Sequence, residues 1–190
     1  SQIAIPVPEA IVIFDLHTGK EQKRWRYQHV PSVLAFSPDG RKLAADSTKS
    51  EVISIFDAAN GQSLSEFPAG ASGSNRSMTW HPSGKYLAIS TIEQIQFWDV
   101  KATAKVSTLD GHAQGVNTLS FDPAGNWLIS DSYDGTPRVW QPSPGHEWIR
   151  FLSGLSQLRF SRDGRWAGAV YPGDGKAQLV EFIPSRVYHT

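Results

Sequence analysis

The chain has 190 residues, with 39% hydrophobic and 19% charged side chains, a balance that suits a folded domain rather than a disordered one. Its 18 basic and 18 acidic residues cancel, which argues against a nucleic-acid or anionic-membrane surface spread over the whole chain. Cysteine is absent, so disulfides, thiolate metal sites and thiol catalysis are excluded.

Residues 1–9 read as an extended lead-in with two prolines, and they lack the basic region and apolar core of a signal peptide. Uninterrupted apolar runs are a handful of residues, far short of a membrane span, so a soluble cytoplasmic domain is expected. Ala10–Asp15 and Gln22–Tyr27 then read as two strands joined at Thr18-Gly19. The stretch 28–67 contains strands at Ser32–Phe36, Lys42–Asp46, Val52–Asp57 and Ser63–Phe67. In 68–109 they fall near Arg76–Trp80, Tyr86–Ser90, Gln94–Asp99 and Lys105–Leu109. In 110–151 they fall at Val116–Phe121, Trp127–Ile129, Val139–Trp140 and Glu147–Phe151, and 152–190 supplies Ser156–Phe160, Arg165–Val170 and Gln178–Ile183. Pro-Ala-Gly and Tyr-Asp-Gly separate the runs: proline presets the φ of a turn's first central residue, and glycine accepts the positive φ that closes it. Lys85–Asp110 contains neither Gly nor Pro and would tolerate a helix; its register with the flanking repeats decides for strands.

That register is the strongest signal. Phe14, Phe56, Trp98, Trp140 and Phe182 recur every 42 residues. Gly19, Gly61 and Gly145 follow the aromatics by five residues, with Thr103 as the exception, and Trp25, Phe67, Leu109 and Phe151 follow by eleven. A looser column holds turns such as Phe36-Ser37-Pro38-Asp39-Gly40 and Phe121-Asp122-Pro123-Ala124-Gly125. A repeat near this length is the mark of a propeller blade of four strands. The fold class is therefore all-β: a β-propeller segment of four-stranded antiparallel blades, about four to four and a half in number. Residues 1–27 form a partial blade, 28–67, 68–109 and 110–151 three repeats, and 152–190 a partial or terminal one. About seventeen strands are too few for the larger rings, so the chain is expected to belong to a larger propeller or to be completed by self-association.

Gly111-His112, the Phe121–Gly125 turn, Asp134-Gly135 and Trp98-Asp99 together resemble WD-repeat propellers, over nearly the whole chain. The resemblance implies that His112, Ser130, Asp134 and Trp140 form a buried structural hydrogen-bond network, in which Asp orients the imidazole, Ser bridges, and the indole N–H finds an acceptor. The same three residue types could suggest a hydrolase triad, but their spacing is that of a blade's internal network. Other units have lost most of the set: Ser50 and Ile92 stand where the Asp would be, His29 alone matches in the first full unit, and Phe182 replaces Trp in the last.

Competing chemistry is weak. The run 171–177 superficially resembles a phosphate loop, but Val170 stands at its first glycine position and Ala177 at its Ser/Thr position. The six histidines show no ligand spacing, so neither a metal nor a cofactor is expected. Arg24, Arg26, Arg76, Arg150 and Arg159 alternate with aromatics, as strand alternation produces anyway, and point to solvated arginines or a protein contact rather than to nucleic acid, and no membrane partner is expected. The inner strands offer Ser32, Ser77, Asn117, Ser120, Gln157 and Arg159 but no carboxylate, which disfavours a propeller enzyme. What the resemblance implies is a non-catalytic scaffold that binds a protein or peptide partner, or another copy of itself. Binding falls on the loops before each first strand and between second and third strands. There Arg76, Tyr133, Tyr171 and Lys176 have interface-favoured chemistry. The alternative is an architectural, ring-completing segment of a larger multidomain protein of bacterial type.

Overall fold

The 42-residue step becomes a succession of antiparallel sheets. The structure, a computed structural model, describes residues 2–27, 31–47, 52–68, 77–92, 94–142, 146–150, 156–170 and 177–181. The first sheet holds Gln2–Val7 (β1), Ala10–Asp15 (β2) and Glu21–Arg26 (β3). The second holds Pro31–Phe36 (β4), Lys42–Ser47 (β5), Val52–Asp57 (β6) and Ser63–Pro68 (β7). The third holds Met78–Trp80 (β8), Tyr86–Ser90 (β9), Gln94–Asp99 (β10) and Ala104–Asp110 (β11). Val116–Phe121 (β12), Leu128–Ser132 (β13), Arg138–Gln141 (β14) and His146–Arg150 (β15) make the fourth, and Ser156–Phe160 (β16), Trp166–Val170 (β17) and Ala177–Glu181 (β18) the fifth. Within each sheet the strands lie in chain order, and Lys85–Asp110 is strand and turn throughout its described residues.

One expectation is corrected. Residues 2–9 are not a lead-in: β1 pairs with β2 along its whole length, from Gln2↔Asp15 to Val7↔Ala10. Pro6 is tolerated because β1 pairs only with β2 among the described strands, so its missing N–H leaves no ladder bond unmade there. Pro8 and Glu9, the latter at φ 59°, close the hairpin.

Apolar clusters lie between successive sheets rather than within them. Ile53, Ile55 and Phe67 of the second sheet meet Met78, Trp80, Leu87 and Ile89 of the third, and Phe97 and Leu109 of the third meet Leu119, Phe121 and Trp140 of the fourth. An interior sheet is thus covered on both faces, which is why β6 and β9 are each buried at four successive positions instead of alternate ones. The sequence columns are these contacts. Phe67, eleven residues after one column aromatic, stacks on Trp98 of the next sheet at 4.8 Å and 18°. Trp25, at the same offset in the first sheet, lies against Gly61, which has φ +73°; an added Cβ there would collide with the indole, so only glycine serves. The sheets are also hydrogen-bonded to one another, by Trp80 Nε1–H to the Ala35 carbonyl (2.9 Å) and by Leu119 N–H to Ser77 Oγ (3.1 Å).

A further regularity concerns the outermost strands. In four sheets the pairing slips by one residue just before the column aromatic, at Ile13/Phe14, Ile55/Phe56, Phe97/Trp98 and Val139/Trp140. The extra residue on the outer strand is Gln22, Leu64, Val106 and Trp148 in turn, again 42 apart. A bulge bends its strand and throws the added residue outward, so Leu64 and Val106 are exposed although apolar.

A buried histidine network and a turn-lined groove

Strands β12 to β14 position the four network residues. His112 lies just before β12, Ser130 in β13, Asp134 in the β13–β14 turn and Trp140 in β14. The structure brings all four together. The indole Nε1–H of Trp140 donates to Ser130 Oγ at 2.8 Å, and the Ser130 hydroxyl lies 2.7 Å from His112 Nε2. The other imidazole nitrogen, Nδ1, lies 2.9 Å from Asp134 Oδ2. The consistent assignment is a neutral ring that accepts from Ser130 and donates to Asp134. Asp134 also accepts from the backbone N–H of Ala113 (3.0 Å) and Thr136 (2.8 Å) and from the Thr136 hydroxyl (2.6 Å). Burial alone would raise the Asp134 carboxyl; the hydrogen bonds from Thr136, His112 and Ala113 outweigh it and hold the group well below the usual carboxylate range.

Ser, His and Asp at these distances match a nucleophilic triad in outline. The burial does not. Ser130 is 1% exposed, and its oxygen already accepts from the indole, so an electrophile has no approach to it. What the arrangement does is tie the segment before β12 to the β13–β14 turn, through a single carboxylate that holds groups from both.

One member was missed in the sequence. Arg138 is 3% exposed; its Nε–H donates to Thr136 Oγ1 at 3.2 Å, its Nη2 lies 3.5 Å from Asp134 Oδ2, and its guanidinium sits 5.9 Å from the Trp140 ring. The signal was its parity: on β14, residues 138 and 140 share one face. A second buried polar group lies between the first two sheets. Asp46 and Tyr27 are both buried there, with Ser32 Oγ 3.4 Å from the Asp46 carboxylate, and burial pushes the Tyr27 hydroxyl up.

Of the residues expected to contact a partner, Tyr133 sits at the tip of the β13–β14 turn, 57% exposed and packed near Gly115. Arg76, Tyr171 and Lys176 lie outside the described residues, as do His29 and Ser50. Ile92 is exposed on the β9–β10 turn. Among the described residues no cluster of three or more His, Asp or Glu could hold a metal ion.

At the opposite ends of the strands from Tyr133, the turns between first and second strands line a groove of about 940 Å³ that spans the third, fourth and fifth sheets. Its surface includes Tyr86, Phe97, Val106, Asp122, Trp127 and Gln141. The turns are stapled from sheet to sheet. His81 Nδ1 accepts the Ser83 N–H at 3.1 Å, so the proton sits on Nε2, which donates to the Gly125 carbonyl at 3.0 Å. Asp122 takes the same chain position in the next turn and accepts the Trp127 N–H at 2.7 Å.

Comparison with known proteins places this geometry. Residues 103–141, which contain the whole of the network, match the WD domain, G-beta repeat family. The guanine nucleotide-binding protein subunit beta of Zea mays is 28% identical over 157 residues, covering 74% of this chain and 41% of that protein. Coronin-7 of Homo sapiens is 30% identical over 112 residues, 58% of this chain and 12% of that one. The nuclear distribution protein PAC1-2 of Uncinocarpus reesii is 35% identical over 77 residues, 40% of this chain and 16% of its own. The chain thus spans less than half the length of each of these relatives. Among solved structures, the Kuenenia stuttgartiensis hydrazine synthase superposes with a TM-score of 0.73 over 91% of this chain and 57% of its own, at 18% identity, a likeness of fold alone.

Proposed function

We propose that this chain, which belongs to the WD-repeat family, is a non-catalytic segment of a propeller whose fixed loops bind another protein or a peptide. The observation that carries the reading is the Asp134 carboxylate, which holds Ala113, His112 and Thr136 at once and so sets the position of two neighbouring loops. Loops held by a buried network are pre-organised, and pre-organisation lowers the ordering cost of binding. Tyr133 stands exposed between them, an amphipathic ring of the kind enriched at interfaces.

Recognition is assigned to the face that carries Tyr133, with Arg76, Tyr171 and Lys176 as the other contact residues. The test is affinity capture with quantitative mass spectrometry, comparing the wild-type chain with a variant in which all four are alanine. Partners retained by the wild type and lost by the variant, at unchanged Tm, support the reading; retention by both overturns it.

A second reading has its own observation. Ile3 and Ile5, opposite Phe14 and Val12, lie exposed on the first sheet. Trp166, Val170 and Leu179 are exposed on the fifth, on the face opposite Ala167 and Ala169, which pack toward the fourth. These are faces that another blade or a second copy would cover. Light scattering over a concentration series separates the two readings: a concentration-dependent dimer favours assembly as the first role.

A further inference from the structure

We propose that the groove between the third, fourth and fifth sheets binds an extended peptide that carries a basic side chain beside apolar ones. The site lies at the other ends of the strands from Tyr133, so it stands or falls independently of the loop-face reading.

One wall is β11, the last strand of its sheet, whose outer edge faces no other described strand. Such an edge offers the alternating N–H and C=O groups on which an extended peptide can lie. On that strand the bulge sets Val106 into the groove, 53% exposed, beside the aromatic surface of Phe97, Tyr86 and Trp127. The side chains of Ser107, Asn126 and Gln141 line the same groove and hydrogen-bond to no other described residue. Each amide presents a donor and an acceptor together, the pair that one peptide unit requires.

Charge selects the partner. The ionisable side chains on the groove besides His81 and Tyr86 are Asp122, Asp163 and Arg165. Arg165 is committed to Glu181 of β18 at 2.8 Å, which leaves the two carboxylates in excess. The Ser161 hydroxyl and the Arg165 N–H keep the Asp163 carboxyl below its usual range, so it stays ionised. A lysine or arginine complements that excess, whereas an acidic peptide is repelled. A saccharide would stack on Trp127 and donate hydroxyl hydrogen bonds to the carboxylates, but it gains nothing from the strand edge or from charge attraction. The groove volume of about 940 Å³ lies at the upper end of ligand clefts.

The experiment pans a phage-displayed library of random peptides against the whole chain, then measures fluorescein-labelled synthetic copies of enriched sequences by polarisation at low and high salt. Enriched peptides are expected to carry Lys or Arg beside Leu, Val or Pro. Val106→Lys and Gln141→Ala should each weaken binding about ten-fold, and Asp163→Asn several-fold at low salt but less at high salt. Tyr133→Ala should leave it unchanged. Val106 and Asp163 are exposed and Gln141 half-buried, so these variants keep the fold, which near-UV circular dichroism checks. Absence of enrichment, affinities indifferent to the three groove variants, or binding only of a glucan oligosaccharide would each overturn the proposal. Loss with Tyr133→Ala alone would return recognition to the loop face.

Discussion

Removing the Ser130 hydroxyl tests whether the network is a connected unit. In Ser130→Ala the Trp140 indole N–H loses its acceptor and His112 Nε2 loses its donor, both inside the core. Leaving a buried polar atom unpaired costs about 1–3 kcal/mol, so two together should cost about 2–6 kcal/mol. The diagnostic is non-additivity. Trp140→Phe removes the N–H that Ser130 accepts, and in that background Ser130→Ala orphans only the imidazole nitrogen. The double variant should therefore be less destabilised than the sum of the singles, by about 1–2 kcal/mol. Urea unfolding followed by far-UV circular dichroism, at constant m, supplies the four corners of the cycle. Additivity within about 0.5 kcal/mol would refute the bridging role of the hydroxyl.

Three further outcomes are expected. Gly19→Ala, at φ +65° with open space, should cost about 1–2 kcal/mol, and Gly61→Ala, at φ +73° with its new Cβ in the Trp25 ring, distinctly more; chemical denaturation ranks them, and equal costs would contradict the inter-sheet contact. The folded Asp134 carboxyl lies below its unfolded value, so its stabilisation is fully present above the unfolded value of about 3.9 and is lost as pH falls through the folded one. Stability measured from pH 5 down to about 2 should therefore decline more steeply in the wild type than in Asp134→Asn, and parallel slopes would count against the pairing. Leu64→Lys, on an exposed bulge, should shift stability by no more than about 0.5 kcal/mol, which thermal unfolding can check.

Much of the architecture was legible because the repeat supplies what single strands do not. The column aromatics and the turn Pro and Gly residues located sixteen of the strands within a residue or two, and the resemblance to WD-repeat blades picked out His112, Ser130, Asp134 and Trp140 as a set. β1 was hidden because Pro6 and Pro8 signal an extended lead-in, and only the partner strand shows that an edge tolerates them. Arg138 was hidden by its type: a buried guanidinium is unusual, and its burial depends on Asp134 and Trp140 standing on either side. The groove left no motif, because it is assembled from three turns that are distant in the chain and close only once the sheets are stacked.

The added residue on each outer strand has a consequence for solubility. Deleting Val106 would leave Lys105 and Ser107 opposite Trp98 and Phe97 as a regular ladder. The strand would straighten, and the short stretches of edge on either side of the bulge, enough for one peptide, would merge into an uninterrupted flat template of N–H and C=O groups, the geometry through which whole sheets of separate molecules join and precipitate. Gln22, Leu64 and Trp148 hold the same place in the other sheets. One surplus residue in each of four sheets thus keeps four outer edges from offering that template.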